Sequence, residues 1–100
     1  MKVRWTAAAA SDLVSITEFI SRDSAAYAAA VAGVLRARAA ALGRFPARGR
    51  VVPEMDNPDI RELLIGNYRL VYRRNSATIE VVAVIHGARY RVAALARRSI

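Results

Sequence analysis

The sequence predicts an α+β fold of order β-α-α-β-β-β, a helical hairpin packed on one face of an antiparallel sheet. Three observations carry this reading. Before residue 43 the large apolar side chains recur at helical spacing; from Ile60 onward they alternate with polar ones at a period of two; the stretch between them holds Pro46, Gly49, Pro53 and Pro58. Helices and a sheet that are each apolar on one face bury those faces against each other.

The elements follow in order. Lys2 to Trp5 alternates polar and apolar residues, a short strand pattern, and Thr6 is placed to cap the helix after it. From Ala7 to about Arg22, Leu13, Ile16, Phe19 and Ile20 form an apolar stripe, with Asp12, Ser15 and Glu18 largely off it. Asp23 and Ser24 cap a second helix with Tyr27, Val31, Val34, Leu35 and Leu42 on one side, which Gly43 and Pro46 end. Only a couple of residues separate the helices, so they form an antiparallel hairpin. Residues 45–59 form a long loop bearing Arg48, Arg50, Glu54 and Asp56. Ile60 to Ile65, Tyr68 to Arg74 and Ala77 to about Ile85 are strands of a meander, joined by tight turns at Gly66-Asn67 and Asn75-Ser76. A basic tail from Arg89 to Ile100 carries Arg89, Arg91, Arg97 and Arg98 without an acid, and its Val92, Ala93, Leu95 and Ala96 support a short strand or helix. No internal repeat or linker divides the chain, which reads as one domain over residues 1–100.

The chemistry is bounded by what is missing. There is no cysteine, hence no disulfide or thiolate metal site, and one histidine is too few for a zinc site, so no cofactor is expected. No stretch reaches the ~20 apolar residues that a membrane-spanning helix needs, and no signal peptide is visible, which makes a cytoplasmic location the expectation. A hydrophobic fraction of 55% argues against disorder. Net charge is +8, and every base except Lys2 is arginine, the residue whose planar fork grips phosphate and carboxylate. The partner should be acidic, a nucleic acid or an acidic protein segment. A helix-turn-helix signature and interleaved aromatics are both lacking.

The two turns set the register and therefore the faces. Tight loops pair Ile65 with Tyr68, Arg74 with Ala77, and Arg69 with Val82. Leu63, Ile65, Leu70, Tyr72, Ile79, Val81 and Ile85 then meet the helices. Glu62, Leu64, Arg69, Val71, Arg73, Glu80, Val82, Val84 and His86 share the opposite, open face, where exposed valines call for a partner. Arg69 and Arg73 either serve a site there or pair with Glu62 and Glu80 across strands.

The chain resembles the RelE/ParE superfamily of bacterial toxins. The matching residues are Trp5-Thr6, Ala9, Asp12-Leu13, Ile16, Leu42, Phe45-Pro46, Gly49-Arg50, Val52-Pro53-Glu54, Arg61-Glu62-Leu63, Tyr68-Arg69-Leu70-Val71-Tyr72, Ile79, Val82 and Val84-Ile85-His86-Gly87-Ala88-Arg89. The resemblance implies the toxin of a type II toxin–antitoxin pair, a growth inhibitor neutralised by a cognate antitoxin in a hetero-oligomeric complex. RelE-like members are ribosome-dependent, metal-independent mRNA endonucleases; ParE-like members poison DNA gyrase. In the nuclease case Arg69, His86 and Arg89 are the catalytic candidates. Arg50, Glu54, Arg61, Arg73, Tyr90, Arg91, Arg97 and Arg98 are the candidates for binding antitoxin or target. The lysines of the RelE-like set are absent, Tyr90 stands at the wrong offset from Arg89, and the His-Gly-Ala-Arg ending reads as ParE-like. A gyrase poison is therefore favoured, with the nuclease and a non-toxic nucleic-acid-binding module as alternatives.

Overall fold

The computed structural model describes residues 1–87 together with Leu95 and Arg98. It contains β1 (Lys2–Trp5), α1 (Ala7–Ser21), α2 (Ala25–Ala41), β2 (Arg50–Val51), a 3-10 turn η1 (Pro53–Met55), β3 (Ile60–Ile65), β4 (Tyr68–Arg74) and β5 (Thr78–His86). The expected order stands, with β2 added at the edge. The sheet runs β1-β5-β4-β3-β2 and is mixed, because β1 lies parallel to β5 while the other pairs are antiparallel. No helix among the described residues is long and apolar enough to cross a membrane.

Both helix starts are capped as their sequences imply. The Thr6 hydroxyl accepts from the Ala9 amide at 3.2 Å and donates to the Val81 carbonyl at 3.1 Å, so the cap also ties the end of β1 to β5. Ser24 accepts from the Tyr27 amide at 3.0 Å. The buried side of the hairpin differs from the expected stripe. In α2 the buried residues are Ala28, Ala32, Leu35 and Ala39, followed by Leu42, while Tyr27 and Val34 face outward; Phe19 of α1 is likewise 60% exposed. An alanine seam has no side-chain bulk to hold the helix away from its neighbours. The helix docks through Ala28, Ala32 and Ala39 together with Leu35 and Leu42, and Tyr27 and Val34 are left at the surface.

The β3–β4 register is the expected one, with Ile65 opposite Tyr68 and Leu64 opposite Arg69. Gly66 takes φ +58 in the two-residue turn, a conformation that costs glycine little. The next turn is wider than expected. Arg74 pairs with Ile79, and the Asn75 amide donates to the Thr78 carbonyl at 2.8 Å. Asn75-Ser76 offers no glycine for the left-handed geometry of a two-residue loop, and no residue there has positive φ. This widening moves the pairing by two residues and leaves Ile79 and Val81 facing the helices. A β-bulge then changes the pattern: Tyr72 pairs with Val81 but Val71 pairs with Ala83, so Val82 is an extra residue in β5. One inserted residue reverses every facing after it. Val84 therefore joins the helix-side core, and Ile85 packs on the outer side.

The face expected to be open is partly closed. Val71, Val82 and Ala83 are buried with Val52, Ile60 and Leu95 in a second core, flanked by Met55 and Ile85. The loop reaches this position because Tyr72 holds it. The Tyr72 hydroxyl donates to the Pro46 carbonyl at 2.8 Å and accepts from the Gly49 amide at 2.9 Å. A Cβ at Gly49 would lie 2.8 Å from the backbone oxygen of Glu62, so only glycine passes there.

Candidate functional site

Two regions carry the residues singled out from the sequence. The first is the outer face of the sheet, where two buried glutamates each hold two arginines. Glu62, 2% exposed at its side chain, receives Arg50 at 2.7 Å from the neighbouring strand and Arg69 at 3.0 Å from β4. Glu80 receives Arg73 at 2.9 Å and, from its other side, Arg4, with Asn75 adding a bond at 3.1 Å. Arg73, then Asn75, hold the Glu80 carboxyl below the usual glutamate range. The cross-strand pairing of Arg69 and Arg73 with Glu62 and Glu80, one of the two alternatives left by the sequence, is thus present. Arg61 donates to the Gly49 carbonyl at 2.9 Å and fastens the loop, and Glu54 is exposed on η1.

The second region is a cleft of about 660 Å³ on the helical side, lined by Ile16, Phe19, Ile20, Arg22, Tyr68 and His86. Tyr68 also borders an adjoining hollow with Tyr27, Val31 and Val34. The Tyr68 and His86 rings meet edge to face at 5.4 Å. Burial, then the neighbouring Tyr27, push the Tyr68 hydroxyl above its ordinary range. The expectation that His86 shares a face with Arg69 is corrected here. Past the bulge, His86 pairs with Tyr68 and lies on the helix side of the sheet, whereas Arg69 is on the outer side.

Asp12 is the residue that sequence reasoning missed. Read as lying off the buried stripe, it points into the sheet, accepts the Val84 amide at 2.9 Å, and takes two bonds from Arg98 at 2.7 and 2.9 Å. Arg98 also donates to the Val82 carbonyl at 2.9 Å. β1 ends beside Val81, so the donor and acceptor of β5 beyond it fall to side chains. The one signal in the sequence was an acid at the sixth position of the first helix, past its capping turn. Arg98, a binding candidate, makes this contact, and Asp12 raises its proton affinity further. Arg89, Tyr90, Arg91 and Arg97 lie outside the described residues, as do Val92, Ala93 and Ala96. Among the described residues no group of His, Cys, Asp or Glu is placed to hold a metal ion.

Known proteins resemble this chain both in sequence and in fold. The family model described as "ParE toxin of type II toxin-antitoxin system, parDE" matches residues 3–90. A solved chain from the chromosomal ParDE TA system of P. aeruginosa is similar in fold, with a TM-score of 0.72 at 19% identity, covering 86% of this chain and 95% of that one. No individually curated protein sequence matches the chain.

Proposed function

The chain belongs to the ParE toxin family of type II toxin–antitoxin systems, and from that premise we propose that it arrests growth by poisoning DNA gyrase and is kept silent by a cognate antitoxin. The observation that carries the choice of target is the bulge at Val82. It puts His86 on the helix side and leaves Arg69 on the outer side, bonded to Glu62. A metal-free cleavage of RNA needs a base or acid and a cation around one phosphate. His86 and Arg69, two members of the nuclease set, stand on opposite faces of a sheet.

The helical surface supports the neutralised state. Phe19, Tyr27 and Val34 are at least half exposed around the clefts that meet at Tyr68, beside Arg22, on a chain with a net charge of +8. An amphipathic acidic segment would cover that apolar area and meet the surrounding charge, the way a helix or strand is taken into a groove.

The test is expression of the chain alone and together with its antitoxin, with growth, gyrase-dependent DNA breaks and mRNA integrity followed in the same cultures. DNA breaks with intact mRNA, relieved by the antitoxin, are expected. Fragmented mRNA on translating ribosomes with intact DNA would replace the reading with a RelE-like nuclease. Normal growth from folded protein would remove the toxin function altogether.

A further inference from the structure

We propose that the outer face of the sheet, built around the Arg50–Glu62–Arg69 and Arg4–Glu80–Arg73 clusters, binds the phosphodiester backbone of a nucleic acid, independently of which enzyme the toxin attacks. The argument begins with redundancy. Each glutamate already has a more sheltered partner: Arg69 is 26% exposed at its side chain and Arg73 is 38%, against 58% for Arg50 and 61% for Arg4. Ion pairs as exposed as the last two add little to stability. Arg4 and Arg50 are surplus to the fold and still hold their guanidiniums in fixed places on the same face.

Fixed guanidiniums cost less entropy to engage than free ones, and each carries five donors in a planar fork, of which the carboxylate takes only one or two. The charge is arranged as well as abundant. By the strand register Lys2 shares this face with Arg4, so the strands present five cations against two nearly buried carboxylates. Arg69 and Arg73 are four residues apart on β4, about 13 Å of strand. The apolar row between the clusters, centred on Val71, is buried beneath Val52 and Leu95. A surface of repeated positive stations on either side of a buried apolar row suits a ligand with regularly repeated negative charge. That is a chain of phosphates more than a peptide, whose acids would have to fall in register.

The experiment measures binding of the purified chain to 20-mers of single-stranded DNA, duplex DNA and single-stranded RNA, each over a range of salt. Arg4→Ala/Arg50→Ala removes the two surplus arginines and leaves both glutamates paired. Arg36→Ala/Arg38→Ala on the exposed side of α2 removes equal charge elsewhere. Each lost phosphate contact lowers the slope of log K against log salt by about 0.9 on duplex and 0.7 on single strands. The outer-face double variant should lose about two contacts' worth of slope and at least ~10-fold in affinity at low salt, while the helix double variant keeps the wild-type slope. The tightest of the three ligands identifies the source of the phosphates. Equal losses in the two variants would reduce the effect to net charge, and wild type that binds none of the three would refute the proposal outright.

Discussion

Replacing Tyr72 by phenylalanine tests how the loop before β3 is held. The side chain is fully buried, and its hydroxyl is the only part removed. Two groups then lose their partner. The Gly49 amide is buried, and this hydroxyl is the partner that it donates to. A stranded buried donor of this kind costs about 1–3 kcal/mol. The Pro46 carbonyl is only partly buried and recovers water, so its loss is nearer the ~0.5–1.5 kcal/mol of an ordinary exchanged bond. Together they give about 2–4 kcal/mol, a large share of the ~5–15 kcal/mol that stabilises a domain of this size. At ~4–8 °C per kcal/mol the melting point should fall by about 10–30 °C. Denaturant unfolding at constant m measures the change, and hydrogen exchange at Gly49 locates it. A loss below ~0.5 kcal/mol with unchanged exchange at Gly49 would mean that the hydroxyl does not hold the loop, and the argument from its two bonds would be wrong.

Three further outcomes follow from the same contacts. Leu95→Ala should cost roughly 2–5 kcal/mol in denaturant unfolding through a cavity in the outer core, and a smaller loss would show that the tail does not seal it. Phe19→Asp and Tyr27→Asp should leave thermal stability almost unchanged, because both side chains are some 60% exposed, yet abolish co-purification with the antitoxin; retained capture would move that interface elsewhere. The Glu80 carboxyl titrates lower in the folded chain than in the unfolded one, so its contribution is complete above the ordinary glutamate range and is lost as pH falls through the folded value. Glu80→Gln should accordingly flatten the fall in stability below about pH 5, read from unfolding curves across pH.

Much of this architecture is legible in the residues. Helix limits follow from Thr6, Ser24 and Gly43, and the β3–β4 register from Gly66-Asn67, because caps and tight turns are short-range effects of a few side chains. What escapes is decided by neighbours distant in sequence. The bulge at Val82 has no local mark, since a valine that is unpaired in β5 looks like any other valine in the strand, and it alone reverses His86 and Ile85. The outer core escapes for a related reason: Val52 and Leu95 fall in segments without period, and nothing local says that they fold over Val71. Of the apolar stripe of α2, Val31, Leu35 and Leu42 turn to the core, whereas Tyr27 and Val34 do not, because close approach between elements selects Ala28, Ala32 and Ala39 beside them. The arginine clusters were half visible, as cross-strand partners on β3 to β5, but Arg4 and Arg50 enter only once β1 and β2 take their places at the two ends of the sheet.

The contact of Asp12 and Arg98 with β5 has a consequence for how the protein behaves in a crowded cell. Among the described residues no strand pairs with the last strand beyond Val81 on one flank, and a strand with an unclaimed donor and acceptor is a template on which another chain can extend the sheet. Here the Val84 amide goes to a carboxylate and the Val82 carbonyl to a guanidinium. Unlike another strand, these side chains offer no fresh row of backbone groups to a newcomer. The flank is finished with two charged side chains, which disfavours growth of the sheet from this side.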